Sequence, residues 1–150
     1  MSYNRLRNGR HSEPGREYFI TCVTHNRIRV FNNLSSARLV IQQLRRLDQD
    51  NHLRSQAWVL MPDHIHILAT LGNDCSLSEC IQQLKGCSTR IINGQQGAQH
   101  RSLWQQGFYD RALRHEEDRL AIAHYIVANP LRAGLVKRLA DYPHWDSIWL

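Results

Sequence analysis

The chain has 150 residues, enough for one domain with a real core, and its 42% hydrophobic content is that of a soluble globular protein. No apolar run approaches the ~20 residues of a membrane-spanning helix, which excludes an integral membrane protein of the helical kind. The formal charge is +6, and every one of the 19 basic residues except Lys85 and Lys137 is arginine, whose planar fork matches phosphate oxygens and stacks on bases, so an anionic polymer is the expected partner and a merely basic enzyme the plainer alternative.

Residues 1–16 are polar and arginine-rich, with Arg5, Arg7, Arg10 and Arg16 among Gly9, Pro14 and Gly15. They read equally as a basic arm that grips nucleic acid and as a disordered terminus. The opening Met-Ser-Tyr-Asn-Arg-Leu-Arg has no apolar h-region of a signal peptide, so a cytoplasmic location is expected. Cys22, Cys75, Cys80 and Cys87 form no C-x-x-C pair and are expected as reduced thiols.

Tyr18–Thr24 alternates β-branched and aromatic residues and predicts strand one. Asn26-Arg27 marks a turn, with Ile28–Phe31 as a short continuation. Asn33 or Ser35 caps a helix in which Leu34, Ala37, Ile41, Leu44 and Leu47 recur at the helical period. Trp58–Met61 and His64–Leu68 read as a hairpin about the Pro62-Asp63 turn. Ser76-Leu77-Ser78-Glu79 is a capping box, and Leu77, Ile81, Leu84, Ser88 and Ile91 give the next helix an apolar side that ends at Asn93-Gly94. Leu103–Leu113 reads as a fourth strand bent at Gly107, with Trp104 in the core and Phe108 and Tyr109 as base-stacking candidates beside Trp145 and Trp149. Acids at 116–118 start a third helix that runs to about Asn129, where Pro130 ends it. Residues 137–150 are expected as a C-terminal tail. The order predicts an α+β fold: a ferredoxin-like, RRM-like βαββαβ antiparallel sheet with helices on one face, plus an additional C-terminal helix that carries a tyrosine. The expected division is an arm over 1–16, a domain over 17–136 and a tail over 137–150.

Two features carry chemistry. Side chains on a strand alternate, so His64 and His66 share one face while Ile65 and Ile67 anchor the other; two imidazoles on a rigid strand can chelate one metal ion. Taken alone, a His-x-His pair is also readable as two ordinary polar-face histidines. On the third helix, Tyr125 and Asn129 stand four apart and share a face. A phenol beside a metal is a possible nucleophile and an amide oxygen a hard ligand. From that segment alone, a half-buried core tyrosine and a helix-capping asparagine are the readier explanation.

Four segments occur in a telling order: Tyr18-Phe19-Ile20-Thr21, Trp58-Val59-Leu60-Met61-Pro62-Asp63-His64-Ile65-His66-Ile67, Leu103-Trp104-Gln105-Gln106-Gly107-Phe108-Tyr109-Asp110, and Tyr125-Ile126-Val127-Ala128-Asn129-Pro130 with the residues to Val136. Together they resemble the REP-associated tyrosine transposases, single-tyrosine members of the His-hydrophobic-His endonuclease superfamily, over about residues 16–146. Asp63 stands where many relatives have asparagine. The resemblance implies that His64, His66 and Asn129 hold Mg²⁺ or Mn²⁺ and that Tyr125 attacks DNA to form a 5′-phosphotyrosine bond. It implies a substrate of single-stranded or hairpin DNA at short palindromic repeats, in a nucleoid-associated monomer or homodimer. Arg5, Arg7, Arg10, Arg16, Arg27 and Arg132 are the candidate DNA contacts. Imidazole ordinarily suits softer metals than Mg²⁺, which makes Mn²⁺ the first ion to test.

Two rival readings stay open. The same scaffold hosts nucleic-acid-binding modules that never cut, as a domesticated repeat-binding regulator would not; against a pure RNA binder, the strands lack the aromatic ribonucleoprotein signature. A small metal-dependent hydrolase, in which the histidines activate water, is the third.

Overall fold

The computed structural model describes residues 12–97 and 101–150, so the predicted contacts of Arg5, Arg7 and Arg10 lie outside the described residues. Strands β1 (Glu17–Val23), β2 (Leu53–Met61), β3 (His64–Leu71), β4 (Tyr109–Ala112) and β5 (Trp145–Ser147) form one antiparallel sheet in the order β4-β1-β3-β2-β5. The first four follow the ferredoxin-like order expected from the sequence.

Helices α1 (Leu34–Gln49) and α2 (Leu77–Gln96) cover one face of the sheet. Each begins as its sequence prescribes. The Asn33 side chain accepts the Ser36 N–H at 3.0 Å, and Ser76 and Glu79 close a reciprocal capping box. Val40, Leu44 and Leu47 of α1 and Leu77, Ile81 and Leu84 of α2 meet Ile20, Leu60, Ile65 and Ile67 of the sheet in the main core. Burying each such side chain contributes about 1.5–3 kcal/mol. Two details differ from expectation. Near the end of α2 Ile92, not Ile91, is buried, and the helix passes Asn93-Gly94 to end at Gly97, whose left-handed φ of 66° makes the cap. Gly72, after β3, is held to glycine by space: a Cβ there would stand 2.0 Å from the carbonyl oxygen of Asn51.

The third helix lies on the opposite face. α3 (Arg119–Val127) packs Ala123 and Ile126 against Ala57, Val59, Met61 and Leu68. Asp118 caps it by accepting the Ala121 N–H at 3.1 Å. Pro130 does not end helical structure as predicted. The break falls at Ala128, and a further turn, α4 (Asn129–Arg132), follows with Pro130 in its first turn, where a missing N–H costs nothing.

Three further expectations need correction. Ile28–Phe31 is not strand: Ile28 and Arg29 link two 3₁₀ turns, His25–Arg27 and Val30–Asn32, and Val30 and Phe31 lie in the second. The fourth strand is only Tyr109–Ala112; upstream of it, Trp104 makes one bridge to Thr24, and both Trp104 and Phe108 are core residues. Trp104 is a core residue as expected, its indole N–H donating to the buried Ser88 hydroxyl at 2.9 Å, and burial removes Phe108 from the base-stacking candidates. Residues 137–150 are not a loose tail: β5 pairs with the outer edge of β2, and the Tyr142 hydroxyl donates to the Leu60 carbonyl at 2.5 Å. The unpaired backbone of β2 is thereby covered. Among the described residues no helix is long and apolar enough to cross a membrane.

Candidate functional site

The β1–β3 register places Thr21 opposite His66 and Val23 opposite His64. Because Ile65 and Ile67 are committed to the α1–α2 core, alternation turns both imidazoles to the face on which α3 lies. Their ring centroids are 4.7 Å apart.

Each ring is held by its Nδ1. His64 Nδ1 lies 2.7 Å from Asp63 Oδ1, and an ionised carboxylate only accepts, so Nδ1 carries the proton and Nε2 keeps a lone pair. His66 Nδ1 lies 2.8 Å from the Thr21 hydroxyl. Oxygen partners on Nδ1 with Nε2 left over is the usual arrangement around metal-binding histidines. Asp63 is itself clamped: Arg27 Nη1 lies 3.3 Å from its other oxygen, and Thr24 donates its backbone N–H at 2.9 Å and its hydroxyl at 3.1 Å to the Asp63 carbonyl. Burial pushes the Asp63 carboxyl up, but its hydrogen bond to His64 and the charges of His64 and Arg27 more than offset this and hold it below the usual value.

His66 is pushed down to about 4, by burial first and then by the positive charges of His64, Arg132 and Arg27. It is therefore a neutral donor across the physiological range. The same shift fixes a sign for stability. Above its ordinary value of 6.5, folded and unfolded chains both carry neutral His66. Between 6.5 and about 4 the unfolded chain binds a proton that the folded chain does not, so stability falls as pH drops through that window. Urea midpoints measured across it should slope less in a His66→Gln variant than in the unaltered protein; equal slopes would place the pH sensitivity elsewhere.

Tyr125 stands on α3, 56% exposed, on the same sheet face. Its ring centroid is 6.4 Å from that of Phe19, which in turn is 5.5 Å from the His66 ring. The Arg132 guanidinium lies over the Tyr125 ring at 4.1 Å and donates to the Tyr125 carbonyl at 2.6 Å. A cation on the ring face fixes the plane of the phenol and adds positive charge beside it. Asn129 directs its amide nitrogen to the carbonyls of Ile126, at 2.9 Å, and Tyr125, at 3.4 Å, which turns its oxygen away from the helix end. The amide nitrogen thus serves the carbonyls at the end of α3, as a capping side chain does.

Of the described arginines predicted to meet DNA, Arg27 and Arg132 are at the site and Arg16 is not. Arg16 pairs with Glu13 and precedes the far end of β1, roughly 20 Å along the strand from the residue opposite His64. Sequence reasoning missed Thr21 and Phe19, whose signal was available: they alternate on strand one with the residues of the core. Among the described residues no three His, Cys, Asp or Glu side chains gather to hold a metal.

The chain is 28% identical over 99 residues to the REP-associated tyrosine transposase of Escherichia coli strain K12, a match that takes in 65% of this chain and 56% of that protein. The chain thus spans little more than half the length of that relative. Its fold superposes with a TM-score of 0.76, at 24% identity, on a REP-associated tyrosine transposase solved bound to a REP hairpin, covering 91% of this chain and 79% of the other. The profile of the family described as "Transposase IS200 like" matches residues 15–129. Since that match takes in most of the sequence, both histidines and Tyr125, the chain belongs to the IS200-like transposase family.

Proposed function

We propose that this protein cleaves and rejoins single-stranded DNA beside hairpins formed by short palindromic repeats, through a covalent 5′-phosphotyrosine at Tyr125. The observation that carries the reading is the histidine pair: two imidazoles 4.7 Å apart, both anchored through Nδ1, on the sheet face that α3 crosses with Tyr125. His64 and His66 would hold Mg²⁺ or Mn²⁺ through Nε2, with the Asn129 amide oxygen as third protein ligand. The cation would neutralise the negative charge that a phosphodiester turns toward an attacking oxygen.

The chain's own groups do the rest. Tyr125 Oη attacks phosphorus, the bond to the 3′-oxygen breaks, and the phenolic proton passes by way of solvent to the departing oxygen, leaving a free 3′-hydroxyl. The bond energy stays in the tyrosyl ester, so a 3′-hydroxyl from another strand can reverse the step without ATP. Arg132 and Arg27 bring charge that attracts the backbone, and the grip weakens with salt. Asp63 holds the His64 tautomer. Asp63→Ala is accordingly expected to weaken Mn²⁺ binding about 10- to 100-fold by calorimetry. Asp63→Asn, whose amide oxygen can still accept the Nδ1 hydrogen bond, should lose less. Equal losses would mean that the carboxylate charge, not the hydrogen bond, matters.

The deciding experiment incubates the protein and Mn²⁺ with a hairpin oligonucleotide bearing single-stranded flanks, then digests any adduct for mass spectrometry. A nucleotide phosphate on Tyr125 is the expected product. Cut DNA with no protein-linked strand would point instead to water activated by the histidines, and tight binding without a cut to a repeat-binding regulator.

A further inference from the structure

β1 and β4 pair Phe19 with Arg111 and Thr21 with Tyr109. By alternation all four side chains stand on the face that carries His66. α3 crosses this face, and between it and β4 lies a hollow of about 370 Å³ lined by Phe19, Arg111, Ala121, Ile122 and Tyr125. That is at the small end of pockets that accept small organic groups. Its walls are a phenyl ring, an isoleucine and an alanine. Its polar groups are the Tyr125 phenol and the Arg111 guanidinium, which Glu117 Oε1 fixes at 2.5 Å from Nη1. A flat group with an apolar face and an edge of hydrogen-bond acceptors suits such a lining.

The position selects the occupant. Tyr125 is a wall of the hollow, and Phe19 reaches both the Tyr125 and the His66 rings. On the reading of Tyr125 as nucleophile, on which this inference rests, the scissile phosphorus comes to the mouth of the hollow, and the base one sugar away is the group within reach of it. We propose that the hollow is a subsite for the nucleobase adjoining the scissile phosphate, stacked on Phe19 with its acceptor edge toward Arg111. Stacking of a base on an aromatic ring is tolerant of sequence, and an arginine beside it adds donors that are not.

The test uses the full chain in the presence of chelator, so that nothing is cut. A hairpin oligonucleotide carries 2-aminopurine at successive positions of its single-stranded flanks. One position is expected to be quenched severalfold on binding. Ala121→Leu, an exposed helix position, fills the hollow; at saturating protein it should restore at least half of that fluorescence, and it should weaken binding about 5- to 150-fold, the loss of one stacked base. With Mn²⁺ added back, the cut in wild-type protein should map next to the quenched position. Absence of any quenched position, quenching unchanged by Ala121→Leu, or a cut that maps elsewhere overturns the subsite. The two readings fail separately. Site-specific quenching relieved by Ala121→Leu, with no adduct at Tyr125, keeps a base-binding hollow and removes the phosphotyrosine. An adduct at Tyr125 with no such quenching removes the hollow alone.

Discussion

Protein carrying Tyr125→Phe is expected to bind a hairpin oligonucleotide as tightly as the unaltered chain and to form at least about a thousandfold less covalent adduct, as removal of an attacking group does elsewhere. The geometry makes this a clean substitution. Tyr125 is largely exposed, so loss of its hydroxyl orphans no buried partner. The phenyl ring keeps its neighbours, Phe19 on one side and the Arg132 guanidinium on the other. The local fold, the basic surroundings and the imidazole pair are left as they were. Denaturing gels with end-labelled DNA read the adduct, and fluorescence anisotropy reads binding. Adduct that persists in the variant would show that another side chain attacks. Binding that falls together with adduct would show that the phenol serves to hold DNA rather than to cut it.

The second large effect separates two neighbours on one strand. Ile67→Ala is expected to destabilise the fold by about 2–5 kcal/mol, because Ile67 is fully buried between the sheet and the α1–α2 layer and the cavity left by truncation cannot close completely. His66→Ala, one residue earlier and on the other face, should cost far less stability at neutral pH and yet remove Mn²⁺-dependent adduct. Urea unfolding of the two variants, beside adduct assays well below the transition, resolves the pair. If His66→Ala proves as destabilising as Ile67→Ala, the imidazole is chiefly a packing element and its assignment to metal falls.

Much of the architecture could be read from the chain. The period of α1, the capping box of α2 and the alternation of β1 and of the hairpin are strong local signals, and they place His64 and His66 together without any tertiary information. The site was harder. Arg119–Val127 is apolar around most of its circumference, so its sequence does not say which side packs, and its place on the histidine face follows only from the contacts of Ala123 and Ile126 with β2 and β3. β5 has three residues, too few to alternate, and exists because the edge of β2 needs partners. Tyr109–Ala112 is short for a different reason: the aromatic run before it goes to the core through Trp104 and Phe108, so packing overrides strand propensity there. Thr21 was visible as a residue but not as the partner of His66, since a hydrogen bond between strands depends on register, and register is a property of the assembled sheet.

The segment that presents Tyr125 is nine residues long and buries only Ala123, Ile126 and Val127. Isolated stretches of that length do not stay wound in water. The Tyr125 phenol therefore has no address of its own; it keeps its place only while three aliphatic groups keep their seat on the sheet. With Tyr125 as the nucleophile proposed above, loosening that seat would disarm the chain without disturbing the scaffold beneath, and restoring it would re-arm the same molecule.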